Sequence, residues 1–154
     1  MKLRTSALGG VLVLIAAALQ PASAHGSWHD RLTGTWRVTV TFTDCSGNPV
    51  RPPFPSIDSF PEGGTFTEFG VGSGNSRSVG LGNWYRTGPR TYSTPFQFFI
   101  FEPTGQFLLR TVTVQRTIRL TGPRTYVASA RTKFTGADGS DQGGGCAEEK
   151  GERL

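Results

Sequence analysis

The chain has 154 residues, a formal net charge of +5, two Cys and two His. This length fits a single domain once a targeting segment is removed. The basic residues are scattered along the chain and not clustered, which argues against a nucleic-acid-binding surface.

The N-terminal 24 residues have the pattern of a secretory signal peptide. Two basic residues precede the apolar run Val11–Leu19, and the small residues Ala22 and Ala24 follow it. The run is shorter than the roughly 20 residues that a membrane-spanning helix needs. We therefore expect a helical signal peptide cleaved near Ala24, no membrane span, and a secreted or periplasmic protein.

The first strand is predicted from strict alternation in the segment GTWRVTVTFT. Apolar side chains occupy one face, and Arg and Thr the other, from Gly34 to Thr43. A period of two residues is typical of a strand with one buried face. The next segment, DCSGNPVRPPFP, has four prolines and is predicted to be an ordered loop.

The remainder of the chain is a succession of segments rich in Val, Thr, Phe and Tyr, which favour strands. Short strands are predicted near residues 56–60 and 65–69. A Gly- and Ser-rich loop follows them, and longer strands run from NWYRT to CAEEKGERL at the C-terminus. No segment after the signal peptide has a sustained helical period.

The six residues TGPRTY occur twice, starting at Thr87 and at Thr121. Each copy lies between two predicted strands, and Pro and Gly suit the centre of a turn. We interpret the repeat as two hairpin turns of a meander. The alternative is a repeated anion site that uses Arg90 and Arg124.

The strand count predicts an all-β fold, an antiparallel meander closed into a roughly eight-stranded barrel, with a sandwich as the alternative. In an exported chain, Cys45 and Cys146 are expected to form one disulfide. That bond would lie where the first and last strands meet, which favours the barrel. The predicted divisions are the signal peptide at 1–24, an N-terminal arm at 25–33 and the barrel domain at 34–154.

The segment LTGTWRV, from Leu32 to Val38, resembles the G-x-W opening strand of lipocalins and other calycins. The layout is also similar to that of small exported bacterial proteins with an allene-oxide-cyclase-like barrel. The resemblance implies an eight-stranded cup with an apolar interior, and Arg153 packed over Trp36. It identifies no ligand-binding or catalytic residue.

No constellation for catalysis or metal binding is recognisable, so we predict no catalytic residue, no metal and no cofactor. Both His residues, His25 and His29, lie on the N-terminal arm, and no G-x-S-x-G motif is present. Glu68 and Glu102 are candidate acids or bases if they point into the barrel. We expect Glu68 to face outward and pair with an Arg.

Both faces of one aromatic strand are apolar, which is unusual for a sheet with one wet side. Phe96, Phe98 and Ile100 share one face, and Phe99 and Phe101 share the other. One set can fill the barrel. The other set must meet a loop, the N-terminal arm or a partner chain, and it predicts a homo-oligomer contact unless the Pro-rich loop at residues 48–55 covers it.

These features favour a secreted, non-catalytic barrel that binds a small apolar ligand in its interior. One alternative is a cyclase- or isomerase-like enzyme with an inward carboxylate, which a cavity holding Glu68 or Glu102 would favour. Another is a structural or partner-binding module with a solid core. The candidate ligand-lining residues are Trp36, Val38, Val40, Phe96, Phe98, Val112, Val114 and Tyr126.

Overall fold

The computed structural model describes residues 31–74 and 76–154. The predicted signal peptide, most of the arm, and both His residues lie outside the described residues. Among the described residues, no helix has the length and apolarity needed to cross a membrane.

The described residues form nine antiparallel strands that close into an eight-stranded barrel. The strands are β1 (Gly34–Thr43), β2 (Phe54–Phe60), β3 (Thr65–Gly70), β4 (Gly80–Asn83), β5 (Tyr85–Arg86), β6 (Thr91–Phe101), β7 (Leu108–Leu120), β8 (Thr125–Gly136) and β9 (Asp141–Arg153). Because β4 and β5 both pair with β6, they occupy one position of the barrel. The predicted all-β barrel is confirmed, and the sandwich is excluded.

The barrel closes where β1 pairs with β9, with Trp36 opposite Arg153 and Thr43 opposite Cys146. The predicted disulfide between Cys45 and Cys146 is present, with Cα atoms 5.0 Å apart. It joins the end of β1 to the outer face of β9. The covalent bond therefore reinforces the seam between the first and last strands.

Both TGPRTY segments form hairpin turns with matching backbone hydrogen bonds. The Thr87 amide donates to the Thr91 carbonyl, and the Thr121 amide donates to the Thr125 carbonyl, each at 2.9 Å. The carbonyl of Arg90 then accepts from the backbone of β7, and that of Arg124 from β9. The repeat thus builds two equivalent turns at one end of the barrel, as predicted.

That end, which we call the closed half, is packed with side chains. Its buried residues are Leu32, Trp36, Val38, Phe60, Phe66, Trp84, Tyr92, Ile118, Leu120 and Tyr126. The Trp36 indole donates a hydrogen bond of 2.9 Å to the Leu32 carbonyl. The guanidinium of Arg153 lies 4.5 Å from the Trp36 ring, as the lipocalin resemblance implies.

The outward aromatic set remains accessible to solvent. Phe99 is 45% exposed, and Phe101 is half-buried against it. The Pro-rich loop instead directs Arg51 onto Phe42, whose side chain faces the barrel interior. The alternative in which this loop covers Phe99 is therefore wrong, and a homo-oligomer contact stays a prediction.

Candidate functional site

The opposite end of the barrel, which we call the open half, is hollow. An inner cavity of about 60 Å³ lies above the closed half, and a vestibule of about 450 Å³ opens outward from it. Residues that line both spaces are Phe42, Phe54, Arg77, Phe98 and Thr132. The two spaces are therefore adjacent, and together they form the candidate site.

The hollow follows from the sizes of the inward side chains. At the inner cavity, β8 and β9 contribute the small groups Ala130, Thr132 and Ala147 beside the larger side chain of Glu149. Facing strands contribute rings, including Phe96 and Phe98, which lie 6.4 Å apart between centroids. Small residues beside large rings leave a void that the closed half does not have.

The floor of the inner cavity is a buried cluster of charged groups on three strands. Nη1 of Arg116 on β7 donates to Oδ2 of Asp58 at 2.6 Å and to Oε2 of Glu149 at 2.8 Å. The Tyr126 hydroxyl also donates to Asp58, at 3.2 Å. The Phe66 ring lies 4.6 Å from the Arg116 guanidinium, which is therefore held between carboxylates and rings.

A second ion pair closes one side of the same cavity. Arg77, from the loop between β3 and β4, binds Glu68 through two hydrogen bonds of 3.0 and 2.6 Å. The Ser56 hydroxyl donates to Glu68 at 3.0 Å. The expected Arg partner is present, but the outward orientation of Glu68 is wrong, because β3 turns Phe66, Glu68 and Gly70 inward.

Burial perturbs the acids of the floor. Desolvation raises the pKa of Glu149 from 4.5 to about 7, although Arg116 opposes the shift and Asp58 adds to it. Desolvation also raises the pKa of Asp58, against the attraction of Arg116. The charge of the floor therefore depends on pH near neutrality through Glu149.

The predicted ligand-lining residues divide between the two halves. Val40, Phe96, Phe98 and Val114 line the inner cavity, and Val112 lines the vestibule. By contrast, Trp36, Val38 and Tyr126 are packed into the closed half, where only the Tyr126 hydroxyl reaches the floor. The candidate acid Glu102 follows β6 at the rim, and its carboxylate accepts a hydrogen bond from Thr104.

Three residues of the floor were missed by sequence reasoning, namely Asp58, Arg116 and Glu149. A signal was present, because Arg116 falls in the same alternating phase as Val112, Val114 and Ile118 of β7. A charge in the buried phase of a strand indicates a compensating partner inside the barrel. The described residues contain no group of three or more His, Cys, Asp or Glu side chains placed to hold a metal.

No protein-family model and no curated protein matches the chain. Among solved structures, it is similar to EF1p2_mFAP2b bound to DFHBI, with a TM-score of 0.54 and 19% identity over 82% of this chain and 96% of that one. It is also similar to the S-type phycobiliprotein lyase CPES from Guillardia theta, with a TM-score of 0.36 and 12% identity over 80% and 89% of the two chains. The likeness to the first of these structures shows a shared fold, in keeping with the eight-stranded antiparallel barrel of the chain.

Proposed function

We propose that the protein is an exported, non-catalytic barrel that binds a small molecule with an apolar body in its open half. The observation that carries this proposal is the vestibule of about 450 Å³, which is walled by aromatic rings and ends at polar groups. Small-molecule sites in proteins have this size and this composition. The disulfide is consistent with an oxidising compartment outside the cytoplasm.

The driving force would be burial of apolar ligand surface. At about 25 cal/mol per Å², covering roughly 200 Å² of a ligand contributes about 5 kcal/mol before the entropic cost of association. The inner cavity is too small for a ring system, so it would hold a small polar substituent or ordered water. The ligand body is then expected to lie in the vestibule, and the floor to orient its inner end.

Binding is tested with naphthylmethanol, a neutral aromatic probe, by isothermal titration calorimetry on the oxidised protein. Ile100→Trp places a larger ring in the vestibule wall and is expected to weaken binding about tenfold or more. Leu81→Trp is the control, because Leu81 lies on the outer face and is 60% exposed. The proposal fails if the probe does not bind, or if both variants weaken binding equally.

An acid–base enzyme is the second candidate, because the inner cavity holds Glu68 and Glu149. Glu68 is fully engaged by Arg77, so Glu149 is the group available to accept a proton near neutral pH. Naphthyl methyl ketone in deuterated water tests this candidate by nuclear magnetic resonance. Exchange of its methyl protons by the wild type, lost in Glu149→Gln, would favour the enzyme over the binding protein.

Export and homo-oligomerisation are tested together by native mass spectrometry of protein purified from the exported fraction. Cleavage after Ala24 is expected, with the Cys45–Cys146 bond intact. Loss of the oligomer in Phe99→Ser would place the contact on the outer face of β6. A monomeric wild type would refute the oligomer prediction without affecting the binding proposal.

A further inference from the structure

We propose that the ligand of the vestibule is anionic, and that Arg51 and Arg110 hold its negative group at the mouth while its apolar body points inward. This inference rests on the proposed binding function and adds the charge and the orientation of the ligand. It follows from the placement of arginines and carboxylates along the barrel axis.

Three arginines of the open half lie against rings of the interior. Arg51 and Arg77 line the vestibule, and Arg110 adjoins it through Phe134, which also lines it. The Cζ atom of Arg51 is 3.9 Å from the centroid of Phe42, and that of Arg77 is 3.6 Å from the centroid of Phe98. The Cζ atom of Arg110 is 5.7 Å from the centroid of Phe134. Contact with a ring restrains a guanidinium while leaving its N–H groups at the edge available to an acceptor.

Only one of these arginines has its charge compensated. Arg77 is paired with Glu68, whereas Arg51 and Arg110 have no carboxylate within 4.0 Å among residues 31–74 and 76–154. Glu102, Asp44 and Asp138 accept hydrogen bonds from neutral groups of their own turns. None of these three acids is paired with Arg51 or Arg110. Two guanidinium groups of the open half therefore have no direct carboxylate partner among the described residues.

Arg110 belongs to strand β7 and not to a surface loop. It pairs with Ile100 of β6 in the register of β7 and shares the inward phase of Val112. Its Nε is buried and has no hydrogen-bond partner among the described residues. A buried N–H without a partner costs free energy that an incoming anion would recover.

Above about pH 7 the floor has the opposite charge, which sets the orientation. Asp58 and Glu149 share the single guanidinium of Arg116, so their cluster is negative when both are ionised and neutral when Glu149 is protonated. When the floor is negative, an anionic group is repelled from it and attracted to the mouth. A carboxylate suits the arginines, because a guanidinium can donate two parallel hydrogen bonds to it.

The test compares three probes with the same ring system: naphthoate, naphthylmethanol and naphthylmethylammonium. Calorimetry at low salt and about pH 8, where Glu149 is ionised, is expected to show naphthoate binding about tenfold more tightly than the alcohol, with the ammonium weakest. Arg51→Gln and Arg110→Gln should each weaken naphthoate binding about fivefold or more and leave naphthylmethanol within about twofold. Added salt should weaken naphthoate binding alone.

Arg119→Gln is the matched control, because Arg119 is on the same strand as Arg110 but is exposed on the outer face. It removes one positive charge without touching the mouth. Arg110→Lys retains the charge and is expected to recover part of the naphthoate affinity if Arg110→Gln is poorly folded.

The outcomes separate this inference from the proposed function. Equal affinity for naphthoate and naphthylmethanol would overturn the anion site and leave the binding function standing. Equal loss in Arg119→Gln and in the mouth variants would also overturn it. Failure of all three probes to bind would remove the binding function itself, and the inference with it.

Discussion

The protonation of Glu149 leads to a prediction with an unusual sign: replacing this buried acid should stabilise the protein above neutral pH. Glu149 is 6% exposed and bonded to Arg116, so its removal would ordinarily be expected to break an ion pair and destabilise the fold. Desolvation nevertheless outweighs that attraction and raises its pKa to about 7. The folded chain therefore prefers the neutral acid, which Gln imitates in shape and charge.

The magnitude follows from the pKa in the folded and unfolded states. A rise from 4.5 to about 7 corresponds to about 3 kcal/mol, at about 1.4 kcal/mol for each unit of pH. Because the folded pKa is the higher one, this contribution to stability is complete below about pH 4.5 and is lost as the pH rises through about 7. Asp58 acts in the same direction, since its pKa is also raised.

Urea unfolding of the oxidised protein, followed by tryptophan fluorescence, measures the free energy of unfolding at several pH values. At about pH 5, Glu149→Gln should match the wild type within about 1 kcal/mol. At about pH 8.5, it should be more stable by up to about 3 kcal/mol. Glu148→Gln is the control, because Glu148 is the exposed neighbour on β9 and should track the wild type at both pH values.

A variant less stable than the wild type at the higher pH would refute this reasoning, because the ion pair with Arg116 would then outweigh desolvation. Parallel stability curves for the wild type and Glu149→Gln would refute it as well. In that case Glu149 would remain ionised throughout the range, and the floor of the inner cavity would carry its full negative charge at every pH measured.

Three further predictions concern the stability of the barrel. Reduction of the Cys45–Cys146 bond, which spans 101 positions, should lower the free energy of unfolding in urea titrations by about 4 to 5 kcal/mol. A loss below about 1 kcal/mol would count against a role of the bond in constraining the unfolded chain. Thr94→Val removes a fully buried hydroxyl that has no hydrogen-bond partner among the described residues, so the variant should be as stable as the wild type or up to about 1 kcal/mol more stable in thermal unfolding. A clear loss of stability would reveal a partner for that hydroxyl. Gly151→Ala would place a methyl group 2.2 Å from the Tyr126 ring and should cost about 1 to 3 kcal/mol, whereas an unchanged melting temperature would show that the ring can move aside.

Much of the architecture could be predicted because it depends on local patterns. Alternation in β1 identified the buried face that contains Trp36, and the Pro and Gly residues of TGPRTY identified two turns. The pairing of Cys45 with Cys146 followed from the presence of only two Cys in a chain that is predicted to be exported. Each of these inferences uses residues that are close in sequence or chemically unambiguous.

The orientation of Glu68 could not be predicted in the same way. The strand TFTEFG has a ring in each phase, Phe66 inward and Phe69 outward, so its alternation does not identify the buried face. What makes an inward carboxylate tolerable is Arg77 from the following loop and Ser56 from the neighbouring strand. The groups that compensate a buried charge come from other segments of the chain. The residue pattern of a single strand therefore cannot predict them.

The all-β class, the two equivalent hairpin turns and the disulfide can be inferred from the amino-acid sequence, because alternation, turn chemistry and the Cys count are properties of short segments or of composition. The contrast between a packed closed half and a hollow open half becomes visible only in the folded barrel. That difference arises when Ala130 and Ala147 meet the rings of other strands around one closed cylinder. The volume of the cavity depends on the inward side chains at all eight strand positions together. It is enclosed only once the first and last strands of the sheet have paired.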